Sequence, residues 1–449
     1  ARPRKGVKAK VSATWSAWRP RRHSPQRTRD QVARSRFGSL DPTAVWQALR
    51  RSLAGTWVGT DGTLQTLWYA YAVDSDFKLL SNFTFNLNQP ISGDQFAQSD
   101  RRRIYGLEGS QVLGNQLAGV EGMLNLNAGW RGDRINEVGL FLTQARVTDS
   151  TVRQDRVNQD TIWLGAQQML IFNPQWRAYL GLRADALSYR VDGLEPVYGA
   201  ANSGQGQDAL WQPKAGLTWS ASAQHEFYAN AGLGFHSNDV RGATITVDPQ
   251  TGASAQRVPV LVKGIGSELG WRLKADDKLV TTLALWQLDM DSELIYVGDA
   301  GSTAPGRAST RYGLEATLRW RFTSQWRLDL DAAWSRARYR GAPPAGEGDY
   351  IVNAVESVLS GGLAWQSGSW QTSLRWRAMG PRALDSGNTV QALGTSMWNL
   401  ATRYALRPDL QIGLELFNLI DQSGNDIEYV YASCTAREVQ TGVCGGGIL

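Results

Sequence analysis

From about Leu64 onward the chain alternates apolar and polar residues with period two, and few architectures tolerate that pattern for so long. In one segment Leu314, Ala316, Leu318, Trp320 and Phe322 alternate with Glu315, Thr317, Arg319 and Arg321. The next segment sets Trp326, Leu328, Leu330, Ala332 and Trp334 against Arg327, Asp329, Asp331 and Ser335. Trp370, Leu374 and Trp376 continue the rhythm, as do Leu410, Ile412, Leu414 and Leu416 against Gln411 and Glu415. Successive side chains of a strand point to opposite faces, so these segments are strands of about ten residues with one apolar and one polar face. Helical spacing fits none of them.

The connections narrow the choice. Short turns at residues 173–175, 220–224, 274–278, 323–325, 366–369 and 407–409 alternate with long polar stretches at 191–210, 237–258, 299–308, 340–354 and 381–394. That asymmetry belongs to an antiparallel up-and-down barrel in an outer membrane, with tight periplasmic turns and long extracellular loops. A soluble sandwich would show shorter strands and turns every 8–12 residues. The chain's 19 Trp cluster near strand ends, as in Trp320/Trp326, Trp365/Trp370 and Trp398/Tyr404, where interfacial aromatic girdles form. No apolar run is long enough for a transmembrane helix, and the slightly negative mean hydropathy discriminates little, because opposed faces cancel. The expected fold is all-β: an antiparallel up-and-down transmembrane β-barrel with roughly 17–20 strands, short of the 22 of plugged transporters.

Charge divides the chain. Residues 1–36 hold twelve Lys and Arg against one acid, Asp30, whereas the remainder has 35 basic and 40 acidic residues. The reading therefore separates a basic N-terminal segment, 1–36, from a barrel, 37–433, and an atypical tail, 434–449. Starting at Ala1 without an apolar leader, the chain is expected to be a mature or excised fragment. Cys434 and Cys444 either pair in an oxidising compartment or stay free thiols.

Candidate chemistry is sparse. His23, His225 and His236 share no metal-ligand spacing, and neither cysteine belongs to a Cys-x-x-Cys. Gly232-Leu233-Gly234 and Gly264-Ile265-Gly266 sit within strands, with no helix N-terminus to meet a phosphate. Asp289, Asp291 and Glu293 alternate, so they either bind a cation such as Ca²⁺ or line a wet lumen near its rim. No serine–histidine–acid set or perturbed carboxylate pair is evident, so neither catalysis nor a cofactor is expected. The basic head has few aromatics and no reading fold, which argues against nucleic acid and for a wall remnant, lipopolysaccharide contact or a frame-shifted run. Arg319/Arg321 and Arg375/Arg377 each share a face. They would pair with acids of a plug or draw in an anionic complex.

Several stretches resemble TonB-dependent receptors. Leu416-Phe417-Asn418-Leu419-Ile420-Asp421 followed by Asn425–Tyr429 is similar to the family's penultimate-strand ending. Residues 228–239, with Arg241-Gly242-Ala243, resemble the central strand that rises into a long extracellular loop. Ser81–Phe85, Gly93–Phe96 and Arg36–Pro42 fit the same branch, and the likeness covers about residues 34–433. The resemblance implies a barrel that imports scarce nutrients, most commonly ferric siderophores, with TonB pulling on a plug. It implies no enzyme, and outer-membrane lipid and lipopolysaccharide as surroundings. Three departures are expected: no plug before the barrel, an abnormally basic start, and a tail without the family's final aromatic strand. A plug-less passive pore and a non-functional receptor fragment are the alternatives. His236, Asp239 and Arg241 in the loop, and Asp289 and Asp291 beside it, are the candidate ligand contacts; no catalytic or metal residue is assigned.

Overall fold

The computed structural model describes residues 6–22, 29–35, 40–62, 64–297, 302–425, 427–444 and 446–448. His23, Arg36–Ser39 of the receptor-like stretch and residues 298–301 of one long connection lie outside them. Seventeen strands form one sheet: β1 Gly6–Arg22, β2 Val45–Asp61, β3 Leu64–Ser81, β4 Phe96–Leu117, β5 Val120–Gln144, β6 Val147–Ile171, β7 Trp176–Gly193, β8 Gly204–Ser220, β9 His225–Ser237, β10 Leu261–Ala275 and β11 Leu279–Met290. They continue as β12 Ser309–Trp320, β13 Trp326–Tyr339, β14 Ser357–Ser367, β15 Trp370–Met379, β16 Thr395–Arg407 and β17 Leu410–Leu416. Each pairs antiparallel with the next, from β1 on β2 to β16 on β17. This is the up-and-down meander expected from the alternating connections.

The two faces separate as the sequence pattern requires. Leu285 lies opposite Leu269 on one side and Leu314 on the other, and all three are exposed, as a lipid-facing row must be. Near the short turns, Trp176, Trp219 and Phe227 stack at 5.7 and 5.5 Å, and Trp326 lies 6.2 Å from Phe322 and 6.3 Å from Trp365. A second aromatic level includes Tyr312–Trp334 and Trp376–Trp398. On β13 the levels are the eight residues from Trp326 to Trp334 apart, about 21 Å for a strand tilted by about 40°. That matches the apolar band of an outer-membrane barrel.

Strand length departs from expectation. Both β5 and β6 have 25 residues, about 85 Å of chain where roughly ten tilted residues suffice. They protrude above the band, where both faces meet water or loops and the hydropathy alternation disappears while backbone pairing continues. For the same reason the expected loop at 191–210 shrinks: β7 runs to Gly193 and β8 starts at Gly204.

The basic start supplies β1, whose Val7, Val11 and Trp15 share one face with Lys8, Lys10 and Thr14 on the other. Strands β1 and β17 are the edges of the sheet, and among the described residues no ladder joins them. The chain after β17 nevertheless crosses to the β1 side at the long-loop end. Glu428, buried, accepts from Arg29 Nε at 2.9 Å and from Leu393 N at 3.1 Å, tying together three connections. Cys434 exchanges backbone hydrogen bonds with the β3–β4 connection, its N–H to Thr84 O at 3.0 Å and its carbonyl from Asn86 N at 2.8 Å. Cys434 is bonded to Cys444 across a short helix, Ala436–Thr441, which Thr435 and Glu438 cap reciprocally. The sheet therefore curls until its two ends share contacts at one rim.

Candidate functional site

Above the apolar band the inward face of β4–β6 meets the β9–β10 connection, and three acid–base pairs converge there. Asp100 accepts from Arg102 within β4, Asp155 from Arg153 Nε at 2.6 Å within β6, and Asp239 from Arg241 Nη2 at 2.6 Å in the connection. Residues two apart on a strand share a face, which sets the β4 and β6 pairs, whereas Asp239 and Arg241 are brought together by the helical turn of the connection. The pairs interlock: Arg241 Nη1 stands 3.9 Å from Asp155, and Arg153 Nη2 donates to the Arg241 carbonyl at 3.2 Å. Arg153 and Asp155 are buried. Three positive and three negative charges make the cluster neutral, the condition under which buried charges persist.

The connection is built to reach this cluster. Asp239 caps the helical turn Val240–Thr244, accepting from Arg241 N at 3.0 Å. Val240 and Val260 pack with Val157, Leu187, Val191 and Leu210 in an apolar cluster beside the charges. Asn202, buried in the β7–β8 connection, accepts from Thr246 N and Val247 N and donates to Val247 O, which binds the two connections together. Burial alone would raise the Asp239 carboxyl, but the charge and hydrogen bonds of Arg241 outweigh it and hold the group down at about 2. Burial opposes the Arg241 charge, yet Asp239 and Asp155 raise its pKa. Both stay ionised at neutral pH. The arrangement therefore anchors a loop inside the mouth.

The sequence-derived candidates fall in two places. Asp239 and Arg241 sit in the cluster, Arg241 buried and Asp239 about one-third exposed (34%). His236 lies just below, its Nε2 3.0 Å from Ser292 O and its Nδ1 buried without a partner. Asp289 stands apart, on the β11 face that carries Leu283 and Leu285, accepting from Thr310 Oγ1 at 2.5 Å and Gln287 Nε2 at 2.7 Å. Strand β11 ends at Met290; Asp289 and Asp291 both approach Arg340, at 3.9 and 3.8 Å, whereas Glu293 turns away to Arg311 at 2.7 Å. Among the described residues no group of three His, Cys, Asp or Glu is placed to hold a metal. Arg102, Asp100, Arg153 and Asp155 escaped the sequence reading. Their signal was present as Arg-x-Asp or its reverse, a spacing repeated at Arg131/Asp133, Arg183/Asp185 and Arg190/Asp192.

Below the cluster the inward face of β5–β10 carries matched charges, Arg131–Asp133, Arg183–Asp185 and Arg177–Glu226–Arg272, all at 2.5–2.8 Å. A wide strand meander, apolar outside, polar inside and roofed by packed loops at one rim, defines a transmembrane barrel of the outer-membrane kind. The sequence of residues 6–419 matches the model of the TonB dependent receptor-like beta-barrel, and the chain belongs to that family, one of transporters and receptors of Gram-negative outer membranes. No curated protein matches the chain in sequence. Among solved structures it is similar to the ferric citrate transporter FecA in its unliganded form, with a TM-score of 0.74 and 13% identity over 96% of this chain and 67% of that one. It is similar to the ferric yersiniabactin uptake receptor FyuA from Yersinia pestis, at 0.67 and 12% over 95% of this chain and 64% of that one. The copper transporter OprC gives 0.65 and 14% over 91% and 65%. The chain thus spans about two thirds of these proteins' lengths, and at such identities the likeness concerns the fold.

Proposed function

We propose that this barrel forms the wall of a receptor that imports a scarce nutrient across the outer membrane, with a ferric siderophore as cargo and TonB, acting through a plug, as the source of energy. The observation that carries this reading is the β9–β10 connection, held within the mouth by the Arg153–Asp155–Arg241–Asp239 cluster. A loop anchored by six buried or half-buried charges suits a receptor that must present fixed contacts to a solute, because an ordered loop loses less entropy on binding. The named solved structures in the family model's fold include transporters of ferric citrate and ferric yersiniabactin, which supports iron as the metal carried.

In this reading Asp239 and Arg241 hold the loop. His236 stands at its base, where cargo first meets the protein, whereas Asp289 and Asp291 approach Arg340, with Asp289 on the outward face of β11. The domain division carried by the proposal is a basic first segment, 1–36, whose strand β1 joins the barrel sheet, a barrel, 37–433, and an atypical tail, 434–449. The test is uptake of radio-iron from a panel of siderophores by the host with the coding segment intact or deleted, in the presence and absence of TonB. Loss of uptake of one siderophore on either deletion supports the proposal. Unchanged uptake of the whole panel refutes it.

A further inference from the structure

Above the apolar band the outward face is uneven in charge. Arg51 of β2 lies opposite Asp74 of β3, Asp74 opposite Arg103 of β4, and Arg103 opposite Arg134 of β5. The row continues through Asn158 of β6 to Arg190 of β7. It has the parity of Leu107 and Trp130, and so lies on the other side of the sheet from the inward pairs Arg102–Asp100 and Arg131–Asp133. Among the described residues no arginine of β8–β12 faces outward. The fourteen residues from Val120, at the β4–β5 turn, to Arg134 rise about 36 Å along the membrane normal for a tilt of about 40°. An apolar band about 25 Å tall ends below that level, so the row faces lipid headgroups.

Like charges directly opposite, as Arg103 and Arg134 are, destabilise a strand pair unless something neutralises them. Their neighbours do so in part. Asp74 stands 3.6 Å from Arg103 and Asp76 stands 3.4 Å from Arg101, but neither pair is hydrogen-bonded and all four side chains are about half exposed. Arg134 is closer to its acid, Asp160, at 2.8 Å, which also accepts from Trp130 Nε1 at 3.0 Å. Arg51 has no carboxylate within 4.0 Å among the described residues. Guanidinium forks with free N–H donors at headgroup depth are suited to phosphate. Six residues below Arg134 on β5, Gly109, Ala128 and Ala184 leave a hollow of about 780 Å³ between Trp68 and Trp211 on the same outward face. The drop is about 15 Å along the normal, within the reach of one acyl chain. We propose that this face of β2–β7 is a binding site for an anionic lipid of the outer leaflet, its phosphate on Arg101, Arg103 and Arg134 and an acyl chain in the hollow. The site lies outside the lumen and is independent of the cargo.

The experiment is native mass spectrometry of the full chain folded in detergent and titrated with diphosphoryl lipid A or with phosphatidylcholine. Lipid A is expected to be retained at about tenfold lower concentration than the zwitterionic lipid. Arg101→Gln with Arg103→Gln should weaken its retention about tenfold, whereas Arg327→Gln with Arg375→Gln, an equal charge change on the inward face, should leave it unchanged. Ala128→Phe, which fills the hollow, should weaken it about fivefold. Equal retention of the two lipids, or equal weakening in both double variants, overturns the proposal. So does full retention in Ala128→Phe combined with displacement of lipid A by an equal concentration of pyrophosphate, which would make the arginines a site for free phosphate. Retained heat-modifiable gel mobility verifies folding. Should the outward Gln pair not fold, Arg101→Lys with Arg103→Lys replaces it, expected to hold lipid A more weakly and with a steeper salt dependence, since the charge stays and the fork is lost. Retention by the Lys pair equal to that of the parent at every salt concentration would overturn the proposal as well.

Discussion

Removing Arg241 should unfasten the β9–β10 connection without unfolding the barrel. Replacement by Met keeps much of the side-chain volume and deletes the hydrogen bonds to Asp239 at 3.0 and 2.6 Å and the approach to Asp155 at 3.9 Å. Asp239 is 34% exposed and regains water, so its share is discounted to about 1–2 kcal/mol. Asp155 cannot regain water, but Arg153 still binds it at 2.6 Å, which limits its share to about 1–2 kcal/mol as well. The sum, about 2–4 kcal/mol, should raise the open population of residues 238–260 about 30- to 1,000-fold. Amide exchange of that segment, followed by mass spectrometry on barrel folded in detergent, measures this directly. Strands β12–β16 act as the internal reference and should exchange as in the parent. Exchange of 238–260 unchanged within about threefold would refute the anchoring role, and faster exchange throughout would show that the cluster serves the barrel and not the loop.

The same anchor has a pH signature: the folded-state pKa of Asp239 lies below its ordinary value of 3.8, so its contribution is complete above about pH 4 and is lost as pH falls toward 2. Proteolytic nicking of 238–260 by an acid-tolerant protease should rise only below pH 4, and opening between pH 5 and 7 would contradict the assignment. Leu285→Arg on the outward face should cost about 2–4 kcal/mol of folding into vesicles, whereas Ser373→Arg on the inward face should fold normally; equal effects would overturn the face assignment. Reducing Cys434–Cys444, which are 10 residues apart, should withdraw about 2–3 kcal/mol from the tail and expose it to trypsin at Arg437, and a tail equally resistant after reduction would show that its backbone contacts suffice.

What the sequence made legible depends on where each strand sits relative to lipid. Between the aromatic levels one face must be apolar, and β12, β13, β15 and β17 were readable residue by residue. Above them the requirement lapses. The run Thr151–Asp160 of β6 has two valines among eight polar residues, yet it pairs with both neighbours because backbone hydrogen bonds do not depend on side-chain hydropathy. The first strand was hidden differently. Val7, Ala9, Val11, Ala13 and Trp15 alternate properly, but the density of Arg and Lys around them masks the period.

The mouth shows a different limit, because its partners are remote in sequence. Arg153 and the Arg241 carbonyl it binds are 88 residues apart, and no local pattern announces that the β9–β10 connection folds back onto β6. What sequence does carry is half of each interaction: an Arg and an Asp two apart on a strand point the same way and neutralise each other before any partner arrives. Such pre-paired units can be buried by a loop that brings a pair of its own, since neither side presents a net charge to desolvate. Arg153/Asp155 and Asp239/Arg241 meet in that manner. Arg321 and Arg375 have no Asp two residues away, and Arg327, two from Asp329, leaves that carboxylate to Arg319.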